Sequence, residues 1–244
     1  MIGSVKALKT NQTEQIARLR NQLSDVDNLM KLAKSNEFTA GLVFGSELFG
    51  TLNVVEPRSV SPSSSCDLQS KIVTAQQCAD LMRVCEFSLN AKWTLLYRAS
   101  EHGFEVKDFH SKCDNKSNTL TLIKPHGSPN IFGGFTSASW DSISGYKTDC
   151  SAFIFSLVNK DQKPLKMRVS KPESAIYCCS SYGPLFGGYD IYIANRSDSN
   201  TDSYPNLGHS YSHPQYAYLS VQAQHFLAGA SNFQVGDIEV YARN

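Results

Sequence analysis

Asn118-Thr119-Leu120-Thr121-Leu122-Ile123-Lys124, followed by Gly127-Ser128-Pro129-Asn130 and then Ile131-Phe132-Gly133-Gly134-Phe135, is the stretch on which the fold turns. Thr and Leu alternate in the first segment, the period of two that places successive side chains on opposite faces of a strand. Gly, Ser, Pro and Asn between two apolar runs are turn chemistry, so the whole reads as an antiparallel hairpin. Paired glycines inside the second run mark a bulge or a close approach by another backbone.

The same texture continues downstream. Residues 152–158 form an apolar run ended by Asn159-Lys160-Asp161, and further strands are predicted at 166–169, 175–179, 189–194, 216–221 and 234–242. Short strands separated by Gly, Pro, Asn and Ser predict an antiparallel sandwich. Upstream lie helices. Thr74-Ala75-Gln76-Gln77 fits a capping box, and Cys78, Leu81, Met82 and Cys85 then share one face, which reads both cysteines as core. Further helical turns are expected around Trp93, Leu96 and Tyr97 and at 106–112. The fold class is therefore α+β and β-dominated: a two-sheet antiparallel β-sandwich flanked by helices, with an N-terminal coiled-coil-like helix.

That helix is read from Ile16, Leu19, Leu23, Val26, Met30 and Ala33, which step by three and four as the a and d positions of a coiled coil do. It serves either self-association or packing on its own domain, since so few heptads are marginal in water. Residues 1–34 form the coiled-coil-like helix, 35–71 a docking segment and linker, and 72–244 the main domain. Glu56 to Ser65, with two prolines and a run of serines, is the linker proper.

With 23 basic and 22 acidic residues among 244, no basic excess points to nucleic acid. No apolar run reaches the length of a membrane span, and no leader precedes the polar N-terminal helix, so a cytoplasmic location is expected. There the seven cysteines are read as free thiols. No phosphate-binding loop, dinucleotide fingerprint, nucleophile elbow or zinc-protease motif is present, and neither an enzyme nor a cofactor is expected. His209 and His213, between Gly208 and Pro214, are read as loop histidines rather than zinc ligands. Vicinal Cys178 and Cys179 point to opposite faces if they lie on a strand, and a reactive thiol needs nearby cations that the local sequence does not supply.

From residue 72 onward the chain resembles a TLDc domain. The resemblance rests on Trp93 through Phe104, the hairpin with its Ile131 to Trp140 arm, and Ala152 to Leu157. It continues in Tyr182-Gly183-Pro184-Leu185-Phe186-Gly187-Gly188-Tyr189-Asp190-Ile191, then Phe226-Leu227-Ala228-Gly229 and Ile238-Glu239-Val240-Tyr241. It implies two antiparallel sheets with helices around them, resistance to oxidative stress, and binding to subunits of the vacuolar-type ATPase rather than catalysis. A longer loop at 195–213 departs from the oxidation-resistance branch. Family-matched and loop positions single out Gly187, Gly188, Asp190, His209, Ser210 and Glu239 for binding. The expectation is a cytosolic adaptor, self-associating through residues 3–34. Two alternatives stand beside it: a redox sensor or enzyme using Cys178 or Cys179, and the recognition end of a larger coiled-coil scaffold.

Overall fold

The hairpin forms where its sequence places it, at the centre of a larger sheet. A computed structural model describes residues 68–244. The coiled-coil-like helix and most of the docking segment lie outside the described residues. In chain order the elements are α1 (Ala75–Cys85), β1 (Trp93–Arg98), α2 (Ala99–His102), α3 (Val106–Cys113), β2 (Thr119–Pro125) and β3 (Ile131–Thr136). There follow β4 (Gly145–Lys147), β5 (Phe153–Val158), β6 (Leu165–Arg168), a 3-10 turn (Pro172–Ser174) and β7 (Ile176–Cys178). The chain ends with β8 (Leu185–Phe186), β9 (Ile191–Tyr192), α4 (Val221–Phe226) and β10 (Val235–Arg243).

Two antiparallel sheets result. One has six strands in the order β1-β10-β2-β3-β5-β6, and the other four in the order β4-β7-β8-β9. Alternation along the hairpin explains how they stack. Ile123, Phe132, Ile154 and Val240 face the smaller sheet and meet Ile176, Phe186 and Ile191 in one core. Leu120, Leu122, Phe135, Phe155 and Tyr241 point the other way and meet Leu81, Met82 and Cys85 of α1 in a second. The large sheet is thus buried on both faces, which is why β5 is apolar at nearly every position.

Two glycines make this stacking possible. A Cβ on Gly133 would lie 1.8 Å from the Thr121 carbonyl oxygen of the neighbouring strand. A Cβ on Gly134 would lie 2.6 Å from the Phe186 ring of the opposing sheet. The close backbone approach expected of this pair is found at Gly133, whereas Gly134 makes room for a ring.

α1 begins as predicted. The Thr74 hydroxyl accepts from Gln77 N, and the Gln77 side chain accepts from Thr74 N. Such a cap is worth ~1 kcal/mol. Burial of Cys78, Leu81, Met82 and Cys85 contributes more, at roughly 1.5–3 kcal/mol for each large apolar side chain.

Four local readings change. Trp93 to Arg98 is a strand rather than helical turns, because β10 offers it a paired edge and only Ala99–His102 remains helical. Residues 216–221 form no strand; Ser220 caps α4 through its hydroxyl and ends the extended run. The strand sought at 189–194 shrinks to Ile191–Tyr192. Residues 68–71 belong to the domain rather than to a linker, since Leu68 is buried and Ser70 and Lys71 bind Glu239. Among the cysteines, 85, 113, 150, 178 and 179 are free thiols, whereas Cys78 is a half-cystine, so the all-thiol reading fails there.

Candidate functional site

The turn after β8 carries Gly187, which has a left-handed φ of +66°, and Gly188. They reverse the chain so that Asp190 points inward, where it is completely buried. A buried carboxylate needs donors. Four backbone N–H groups of the 195–213 loop supply them. Gly208 donates to Oδ1 at 2.8 Å, His209 at 2.9 Å and Tyr211 at 3.2 Å, while Ser210 N donates to Oδ2 at 2.9 Å. Burial pushes the Asp190 carboxyl up from the ordinary carboxylate range, and these N–H groups offset only part of that rise.

The loop is fixed at further points. The Ser210 hydroxyl accepts from Gly188 N and lies 2.9 Å from the Ser174 hydroxyl, and His209 Nδ1 sits 3.0 Å from it. Tyr211 is fully buried, and its hydroxyl donates to the Ala175 carbonyl. Five of the six sequence-selected binding positions, Gly187, Gly188, Asp190, His209 and Ser210, therefore meet in one place. They build a loop anchor. Of their side chains only the half-buried His209 ring borders solvent.

Glu239 lies apart, on the α1 side of the large sheet. It is fully buried and accepts from Arg98 Nε at 2.7 Å, Lys71 N at 2.8 Å and the Tyr241 hydroxyl at 2.8 Å, with the Ser70 hydroxyl as a further donor. The Arg98 guanidinium continues to Glu101 and to the Gln69 carbonyl. Asp190 and Glu239, both singled out for binding, pair with neighbours, as strand carboxylates more often do. Both are occupied within the fold.

Beside the anchored loop, a tyrosine surface lies on the outer side of the small sheet. Tyr177 and Tyr192 stand on β7 and β9, with Tyr146 on β4 paired directly opposite Tyr177. Tyr182, Tyr189 and Tyr204 come from the loops. Ring centroids run 4.9 Å from Tyr146 to Tyr177, 5.4 Å from Tyr182 to Tyr192 and 5.0 Å from Tyr192 to Tyr204. Tyr189 is turned into the group by a left-handed φ of +71°, uncommon for a bulky residue. Beneath the rings Leu185, which shares the outward face with Tyr192, is 1% exposed and belongs to neither main core. Burial first, then the Tyr182 hydroxyl, push Tyr189 up to about 12. The sequence reading does not gather these rings because they come from six separate segments; the run of tyrosines at 182, 189, 192 and 204 is the available signal.

Beside this surface, Cys178 ends β7 and is buried, whereas Cys179 lies just past the strand and is half-buried. Burial raises the Cys178 thiol to about 11. Cys179 is half-buried, and hydroxyl contact with Ser144, then Ser181 N, hold its thiol below the usual range. Across the turn His110 bridges Asp114, at 2.7 Å from Nδ1, and the carbonyls of Cys179 and Tyr182 from Nε2. Among the described residues no group of three or more His, Cys, Asp or Glu is placed to hold a metal ion. No helix there is long and apolar enough to cross a membrane.

Two stacked antiparallel sheets with α1 outside one and an anchored loop over the other define a helix-flanked β-sandwich. The TLDc domain family matches residues 66–243, well over half the chain, and the protein belongs to that family. A comparison with curated proteins gave no significant match.

Proposed function

We propose that this chain is a non-enzymatic cytoplasmic adaptor that uses the tyrosine surface of its TLDc domain to bind a protein partner. The observation that carries the reading is that surface. Six aromatic side chains with two rotatable angles each are gathered on the small sheet and the loops beside it, and such aromatic area is what protein interfaces use. The groups that could otherwise serve chemistry, Asp190, Glu239 and Arg98, are already spent on internal hydrogen bonds.

Family membership supports a role in the oxidative-stress response and subunits of the vacuolar-type ATPase as the partner. Self-association through residues 3–34 belongs to the same proposal and raises avidity by ~10²–10⁴ where two sites engage together. The half-cystine at Cys78 pulls against a reducing compartment, and recovery of the protein outside the cytosolic fraction on cell fractionation would reject the cytoplasmic part of the proposal.

The experiment is capture on the immobilised full chain from lysate, read by mass spectrometry. Proton-pump subunits should be retained, and lost when Tyr192 and Tyr204 are both changed to Leu. Retention undiminished in that variant rejects the tyrosine surface; absence of pump subunits beside a working control rejects the pump. An oligomer that survives deletion of residues 1–60 rejects self-association through 3–34.

One observation favours a second reading. Cys179 combines partial exposure with a depressed thiol, as a redox-sensing cysteine requires. The scaffold alternative differs only in what is attached to the same binding domain.

A further inference from the structure

The tyrosine surface carries a charge pattern as well as a shape. The exposed or half-buried rings present π faces and hydroxyl oxygens, both of which attract cations. Two cations close to Tyr146 and Tyr192 in sequence are neutralised. Lys147, next to Tyr146, is bonded to the Asp141 carboxylate and the Ser139 carbonyl. Arg196 is bonded to Glu105 at 3.0 Å. Asp202 is different. It is exposed, its carboxylate has no cationic partner among the described residues, and its field reaches Tyr192, whose hydroxyl is raised by burial first and then by Tyr182, Tyr204 and Asp202.

We infer that the tyrosine surface receives arginine or lysine side chains from a basic loop or tail of its protein partner. This rests on the adaptor reading above and adds the partner's chemistry. The cation settles against the Tyr192 and Tyr204 rings, donates to tyrosine hydroxyls, and is balanced by Asp202. Guanidinium suits the position better than ammonium, because its planar, weakly hydrated group stacks on rings while its edge donates hydrogen bonds. The same charge disfavours nucleic acid: aromatic platforms for single strands stand in a basic groove, whereas the uncompensated charge next to Tyr192 and Tyr204 is that of Asp202.

The test titrates the full-length protein with a capped tetra-arginine peptide and with its uncharged tetra-citrulline counterpart, followed by tyrosine ring signals in NMR. Arginine should bind at least about tenfold more tightly than citrulline, and weaken as salt rises to about 150 mM. Changing Tyr192 and Tyr204 together to Leu should weaken arginine binding about tenfold, whereas the double change to Phe, which keeps the π faces, should weaken it no more than about threefold. Asp202→Asn, on an exposed loop, should cost about threefold and flatten the salt dependence. Equal binding of both peptides, no loss in the Leu variant, or tighter binding of oligothymidylate at the same rings would overturn the inference. If captured partners are lost in the Leu variant while both peptides bind equally, the cationic assignment fails and the tyrosine surface stands. If the Leu variant keeps its partners, both fail.

Discussion

Asp190 occupies the space that a side chain on Gly187 would need: a Cβ there would fall 2.0 Å from the carboxylate Oδ2 and 3.0 Å from the Ser210 Cβ. Position 187 must therefore be glycine twice over, for its left-handed backbone and for the acid packed against it. Gly187→Ala should destabilise the domain by about 3 kcal/mol or more, combining backbone strain with overpacking. A urea melt measures it; a loss under about 1 kcal/mol would mean that the anchor is loose.

Asp190→Ala leaves the N–H groups of Gly208, His209, Ser210 and Tyr211 without their acceptor. The expected cost is about 3–5 kcal/mol, because each buried unsatisfied donor costs ~1–3 kcal/mol and the loop relaxes in part. Hydrogen exchange gives the sharper readout. Exchange at those four amides should rise far more than in the β2–β3 hairpin, and uniform acceleration would count against a local anchor.

Arg98 and Glu239 form a buried ion pair, with both side chains almost inaccessible. Arg98→Met strands the carboxylate and should cost about 3–5 kcal/mol. Combining it with Glu239→Gln should recover part of that loss, since the stranded charge is then gone. Strict additivity of the two changes would show that the pair is uncoupled.

Asp149 provides the acid sensitivity. Its own burial raises the carboxyl, but hydrogen bonds from the Ser151 hydroxyl, the Thr136 hydroxyl and the amides of Ser151 and Ser137 outweigh this and hold it below the usual range. A depressed carboxyl contributes stability that is present above the unfolded value near 3.8 and lost as pH falls through the folded value. Wild type should lose stability below about pH 4, and Asp149→Asn, already weaker at pH 7, should lose less of what it has over that interval. Parallel pH–stability curves would remove Asp149 as the cause.

The thiols should separate by rate. In a Cys150→Ser background, maleimide at neutral pH should label Cys179 in the native protein and reach Cys178 and Cys113 only on unfolding, because burial raises both of those thiols. A Cys179 rate no higher than that of a model thiol would remove the redox reading.

Local structure was legible where the signal is local. The capping box at Thr74 and Gln77 joins residues three apart, and the hairpin is encoded by alternation on either side of one turn. Trp93 to Arg98 was misread because its helix-like spacing of apolar residues is overruled by pairing with β10, some 140 residues later in the chain. Residues 216–221 look extended from their aromatic content, yet the Ser220 cap starts a helix there.

By itself, then, the sequence determined the β-dominated class, the central hairpin, the cap of α1 and TLDc membership, and it singled out Gly187, Gly188, Asp190, His209 and Ser210 without stating their role. Only the tertiary structure decided what they do. Asp190 is buried by amides 18 to 21 residues away, and Glu239 by donors up to 169 residues away. A carboxylate's environment is set by whatever the fold brings to it, and no pattern along the chain states whether that will be water or N–H groups. The tyrosine surface follows the same logic, since its rings come from β4, β7, β9 and three loops and become neighbours only when the small sheet closes.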